Sequence, residues 1–197
     1  MSILPISSIL PPIGTLAHEW FMFHAVLHGY QMANPSAQDA WVKVFHGDLG
    51  IALTDTFTTD VFLSTFDTFY AKLFDGVRQD SGDPFLFTDK IIQHYKRLHI
   101  NPSTKTIVFS DGLDVEKAVK IHQYCNGRIR DAYGIGTNLT NDVGVTPLNM
   151  VIKLTKGRTS LDKPWRNTVK LSDDNGKRTG DPKELKNCMG IFHLPDH

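Results

Sequence analysis

Apolar and polar positions along this chain fall into stretches with helical spacing, separated by short runs suited to strands. Ala17–Gly29 carries Trp20, Phe21, His24 and Leu27 or His28 at helical spacing, and Gly14-Thr15 is placed to cap its start. Ser36–Phe45 repeats the pattern over a shorter span, with Ser36 as its N-cap. Leu49–Thr54 is an apolar run of strand length that ends at Asp55. Thr58–Phe69 then sets Val61, Phe62, Thr65, Phe66 and Phe69 on one face of a helix. Pro84 suits a first helical turn, and Phe87, Ile91, Tyr95 and Leu98 carry that face to a stop at Asn101-Pro102. Thr106–Phe109 is β-rich. Val115, Ala118, Ile121 or His122, and Cys125 form the next helix, which ends at Asn126-Gly127. A run closing at Tyr133 and another over Leu148–Leu154 read as strands. From Thr155 to Lys183 the chain turns polar, with only Val169–Leu171 suited to a strand, which predicts an exposed hairpin arm.

One order recurs: a strand, a small or acidic turn, then a helix. It appears at Asp55, at Ser110-Asp111-Gly112-Leu113-Asp114 and at Gly134-Ile135-Gly136-Thr137. Successive βα units present such turns together at the carboxyl ends of their strands, so the repetition predicts an α/β fold with one shared site. The strands are too few for a closed eight-stranded barrel, which needs ~200 or more residues of complete βα units. The remaining walls of the site are therefore expected elsewhere. The aromatic faces at Trp20, Phe21 and Phe23 and at Phe57, Phe62, Phe66 and Phe69 exceed what a free surface normally carries, and are expected to form an exposed interface.

Composition narrows the classes. With 197 residues, 41% of them hydrophobic, the chain can bury a real core as one domain. Lys plus Arg and Asp plus Glu both number 21, so no net basic field recruits nucleic acid. No apolar run approaches the roughly 20 residues that cross a bilayer, and the start lacks the pattern of a signal peptide. Two distant cysteines, Cys125 and Cys188, suit a reduced compartment, and the cytoplasm is the expected location.

The densest chemistry is Arg78-Gln79-Asp80-Ser81-Gly82-Asp83. Burying these charges unpaired would cost several kcal/mol. A polyanionic, hydroxyl-rich ligand suits them better. Arg78 can fork onto a carboxylate or phosphate, Asp80 and Asp83 can take sugar hydroxyls or a divalent cation, and Gly82 lets the backbone approach closely. A turn with a surface ion pair is the plainer alternative. His18, beside Glu19 at a helix start, is the candidate nucleophile or proton carrier, provided that Asp55 or Glu19 fixes its tautomer. His24 and His28 lack a third ligand and read as core or partner-facing.

Five segments, Gly14–Trp20, Gly50–Thr56, Arg78–Pro84, Phe109–Asp114 and Gly134–Thr140, together resemble the carboxyl-terminal half of bacterial nicotinate phosphoribosyltransferases, in order and at similar spacing. The likeness runs from about Pro12 to the end, with 1–11 as a non-matching leader and 12–197 as part of a barrel domain. It implies an irregular type II phosphoribosyltransferase α/β barrel whose amino-terminal domain lies outside this chain. It also implies an ATP-coupled, ligase-type glycosyltransferase of NAD salvage, a homodimer when whole, that uses Mg²⁺ and joins nicotinate to phosphoribosyl pyrophosphate. Carried over by position, His18 is the phosphorylated histidine, and Asp55 orients it or meets magnesium. Thr15 and Arg78 meet nicotinate, and Asp80 lies against base and ribose with Ser81 and Gly82. Ser110, Asp111, Gly112, Gly134, Gly136 and Thr137 hold the 5′-phosphate, as small residues at helix starts can. The alternative is a non-catalytic ribose-phosphate-binding or interaction module of the same origin.

Overall fold

The computed structural model describes residues 14–148 and 150–195; the leader therefore lies outside the described residues. Two antiparallel helices open the fold, α1 (His18–His28) and α2 (Tyr30–Phe45), followed by β1 (Ile51–Leu53). The next elements are α3 (Thr59–Thr65), α4 (Thr68–Leu73), β2 (Gly76–Gln79), α5 (Pro84–Arg97) and β3 (Thr106–Phe109). Then come α6 (Val115–Cys125), β4 (Arg130–Tyr133) and the short α7 (Thr137–Thr140). The chain closes with β5 (Lys156–Gly157), β6 (Arg166–Asn167), β7 (Val169–Lys170), β8 (Thr179–Gly180) and α8 (Pro182–Ile191).

Strands β1 to β4 form one parallel sheet in chain order, in which Leu53, Arg78, Val108 and Ala132 share a row. Parallel pairing places all four strand exits at the same edge, so the loops beginning at Thr54, Asp80, Ser110 and Gly134 converge. Ala52, Val77 and Ile107 point to the fully buried face. On the opposite face Thr106, Val108 and Ala132 are only half-buried and Arg130 is exposed. The outer edge of β4 has no strand partner among the described residues. Gly76 is required by close approach: a Cβ there would sit 1.9 Å from the Thr106 carbonyl oxygen.

Five expectations change. Helix α2 begins at Tyr30, not Ser36; it runs through Pro35 because Ala33 and Ala37 are fully buried and the Ser36 hydroxyl bonds back to the Met32 carbonyl at 2.6 Å. The helix foreseen over 58–69 is two, since Asp67 accepts from the Phe69 and Tyr70 amides and starts α4 afresh. Leu148–Leu154 forms no strand among the described residues: no sheet edge reaches it, and Leu148, Met150, Val151 and Ile152 are exposed. The aromatic faces are mostly core, with Phe21, Phe57, Phe62 and Phe66 buried, because α1, α2 and the α3–α4 pair pack them against one another; only Phe23 and Phe69 are exposed. Nor is the polar arm wholly exposed. It makes two small antiparallel pairs, β5–β6 and β7–β8, and Thr168–Ser172 is buried. No helix among the described residues is long and apolar enough to cross a membrane, and both cysteines are free and buried.

Candidate active site

His18 is the first residue of α1, which starts without a side-chain cap; Thr15 instead bridges to Ile51. The ring is buried and held at both nitrogens. Nδ1 lies 2.9 Å from the Thr56 hydroxyl and Nε2 2.9 Å from Asp80 Oδ2. Burial alone would raise the Asp80 carboxyl, but the hydrogen bond from His18 and the Arg78 guanidinium hold it well below the usual carboxylate range. An ionised Asp80 only accepts, so Nε2 carries a proton; in the neutral ring Nδ1 is then the acceptor for the Thr56 hydroxyl. The tautomer is thus set by Asp80 and Thr56. Asp55 Oδ1 approaches Nε2 no closer than 3.7 Å, and Glu19 pairs with Lys153 at 3.2 Å.

Arg78 donates from Nε to Ser110 Oγ at 2.8 Å and from Nη2 to Asp80 Oδ1 at 2.7 Å. The Ser110 hydroxyl also bonds the Gln79 carbonyl and Asp80, so the exits of β2 and β3 are laced together. Asp55, 1% exposed at the exit of β1, accepts from the Ser81 hydroxyl through Oδ2 and lies 3.7 Å from the ammonium of Lys170. Its Oδ1 is buried without a hydrogen-bond partner among the described residues. Such an orphan acceptor is costly unless something meets it.

The residues that sequence reasoning missed are Thr56, which holds His18 Nδ1, and one segment, 168–177. This segment crosses the strand exits like a strap. The Leu171 amide bonds the Thr56 carbonyl at 2.8 Å, and Asp173 accepts from the Thr59 amide at 2.7 Å. The Asp173 amide reaches Ser81 Oγ, and Asp174 accepts from the Gly82 amide at 3.2 Å. Lys177 pairs with Asp111 and Asp174. Ser172 and Thr58, neither of them glycine, hold positive φ of 63° and 77° beside the site, where backbone strain tends to collect. The signal was present in the sequence. Val169–Leu171 followed by Ser172-Asp173-Asp174 is another strand run with a small acidic turn.

The other expected residues divide. Gly112, at φ 53°, turns the loop that Asp111 begins. Gly134 packs against Ser110, where an added Cβ would meet that side chain at 3.3 Å. Gly136 and Thr137 start α7 and stand exposed on the same edge. Asp83 does not join the site, because its Oδ1 caps α5 by accepting from the Phe85 and Leu86 amides. Among the described residues one group could hold a cation: His18, Asp55 and Asp80, whose donor atoms lie within 4.8 Å of one another. Asp80 is already engaged on both oxygens, which leaves Asp55 Oδ1 as the free ligand. That fits Mg²⁺ as it is commonly held, by one or two carboxylates plus substrate phosphates. A cavity of about 220 Å³ opens at the opposite ends of the strands, between Gly50, Asp75, Thr106 and Arg130, and holds none of these groups.

A parallel α/β sheet with a histidine and acidic groups at its carboxyl edge defines the class of ligand-binding α/β enzymes. A model of the nicotinate phosphoribosyltransferase (NAPRTase) family matches residues 3–196. The chain is 71% identical over 183 residues to the nicotinate phosphoribosyltransferase of Desulforapulum autotrophicum, covering 93% of this chain and 47% of that protein. It is 58% identical to that of Chromohalobacter salexigens, with the same coverage. The crystal structure of nicotinate phosphoribosyltransferase from Porphyromonas gingivalis superposes with a TM-score of 0.89 at 48% identity, over 92% of this chain and 47% of that one. The chain belongs to the nicotinate phosphoribosyltransferase family. It spans about half the length of the curated relatives it matches.

Proposed function

We propose that this chain contributes the phosphoryl-accepting and phosphate-holding half of a nicotinate phosphoribosyltransferase acting in NAD salvage, within an irregular α/β barrel completed by sequence outside it. The observation that carries the reading is the hydrogen-bonded line Thr56–His18–Asp80–Arg78, drawn from α1 and the exits of β1 and β2. With the proton fixed on Nε2, Nδ1 is the nucleophilic nitrogen once the Thr56 hydroxyl turns aside. Its lone pair attacks the γ-phosphorus of ATP, the bond to the bridging oxygen breaks, and ADP leaves. Asp80 stabilises the positive charge that the phosphorylated ring acquires. Transfer of that phosphoryl group to water then couples ATP hydrolysis to ligand binding and release. In the ribosyl step the pyridine nitrogen of nicotinate bonds C1 of phosphoribosyl pyrophosphate, and the C1–O bond to pyrophosphate breaks.

Arg78 has donors beyond the two it uses on Asp80 and Ser110, and these suit the nicotinate carboxylate. The loops Ser110–Gly112 and Gly134–Thr137 suit the 5′-phosphate, and Asp55 Oδ1 would hold Mg²⁺, which supplies charge neutralisation at the phosphates. The 197-residue chain, incubated with nicotinate, phosphoribosyl pyrophosphate, ATP and Mg²⁺, is assayed for nicotinate mononucleotide and, separately, for acid-labile phosphate on His18. Phosphorylation of His18 supports the reading with or without turnover. Binding of ribose phosphate with neither product would favour the non-catalytic module, and neither binding nor chemistry would sink both.

A further inference from the structure

The ammonium of Lys177 is met by three acceptors. It pairs with Asp111, lies 3.4 Å from Asp174 Oδ2 and reaches to 3.5 Å of the Asp80 carbonyl. A second ammonium, that of Lys117 on α6, lies 3.2 Å from the Asp111 carbonyl. Two cations from distant parts of the chain therefore converge on one residue of the β3–α6 loop, where Gly112 turns in the left-handed region. The Lys177 side chain remains 39% exposed and that of Asp111 23%, so the pair forms the rim of the site and not its floor. An isolated rim pair adds little to stability. Its charge matters more for what can approach. Unneutralised, the Asp111 carboxylate would stand at the mouth of a loop assigned to an anion and repel it across a few ångströms. Lys170, the other lysine of the strap, cannot substitute, because it is buried against Asp55.

We propose that Lys177 is a positioning residue for the ribose-phosphate ligand: it cancels the charge of Asp111 and turns that carboxylate away, leaving the amides of the β3–α6 loop free for phosphate. This rests on the reading of that loop as a phosphate seat. Burial alone would lower the Lys177 ammonium, yet the Asp111 hydrogen bond outweighs it and holds the group above its ordinary value, so the cation persists across the physiological range.

The test uses the 197-residue chain, with ribose 5-phosphate as the titrant in calorimetry and thermal unfolding as a check on folding. Lys177→Met is expected to weaken binding about tenfold or more, the loss of roughly one favourable unit of charge interaction. Lys177→Arg retains the charge and is expected to bind within about threefold of the parent, roughly half that free-energy step. Asp111→Asn in the Lys177→Met background removes the uncancelled carboxylate and should restore affinity, a rescue that a purely structural lysine would not allow. A Lys177→Met protein that binds as the parent does, or a double variant as weak as Lys177→Met, overturns the proposal while leaving the loop assignment standing. If the parent chain itself shows no binding, the loop assignment falls and this inference with it. Should Lys177→Met not fold, Lys177→Gln is read by the same comparison.

Discussion

Replacing Asp80 with Asn tests the geometry at its centre. The substitution preserves shape but removes the charge that accepts from both His18 Nε2 and Arg78 Nη2. Hydrogen bonds to charged groups contribute about 1.5–3 kcal/mol each. The Asp80 side chain is 21% exposed and partly screened, and an amide oxygen in its place still accepts, which brings the net loss for the pair below the sum of two full charged bonds, to about 2 kcal/mol at neutral pH. For a chain of this size that corresponds to a fall in Tm of about 4–8 °C. The pH dependence separates this cause from simple misfit. Asp80 titrates below its unfolded value, so its contribution is complete above the ordinary aspartate range, near pH 4, and is lost as pH falls further toward the depressed folded value. Urea unfolding of parent and Asp80→Asn, measured from pH 7 down to pH 3, should show a gap that is widest at pH 7 and begins to close below about pH 4. A gap that stays constant across that range, or none at pH 7, would refute the electrostatic account.

His18→Ala should abolish acid-labile, ATP-dependent phosphorylation while leaving slow ATP-independent transfer in an enzyme made whole; a persistent phosphoryl signal would move the acceptor elsewhere. Arg78→Ala should raise KM for nicotinate far more than that for phosphoribosyl pyrophosphate, and equal effects would assign the guanidinium to the phosphates. Gly76→Ala forces a methyl group to 1.9 Å from the Thr106 carbonyl oxygen, so the β2–β3 ladder must open. Its cost, read by urea unfolding, should be about 3 kcal/mol or more, and a loss below about 1 kcal/mol would contradict that contact.

Much of the fold was legible because its units are local. Strand runs ending at Asp55 and Ser110, Pro84 at a first turn, Asp114 before α6 and Asn126 after it are decided within a few residues by capping and backbone preference. Errors arose where local signals competed with packing. Ser36 looks like a cap but lies within a helix whose alanines the core requires, and Asp67 breaks a helix whose apolar period continues past it. The apolar run over 148–154 has strand composition but no strand to pair with among the described residues, and composition cannot supply one.

The site divides along the same line. Sequence alone singled out His18, Arg78, Asp80, Ser110 and Asp111 as candidates, because charge of that density is poor core material, and the structure brings them to one edge of the sheet. The sequence also carried the family resemblance, since the five segments and their order are properties of the chain itself. Only the tertiary structure decided who holds whom. It paired His18 Nε2 with the Asp80 carboxylate, 62 positions away, and not with that of the adjacent Glu19. It turned Asp83 into a cap, and drew Lys170 and Lys177 from a polar stretch onto Asp55 and Asp111. Such pairings depend on strand register and on a strap crossing three strand exits. Distances of this kind are set by how the sheet is covered, and nothing in the spacing of residues along the chain encodes them.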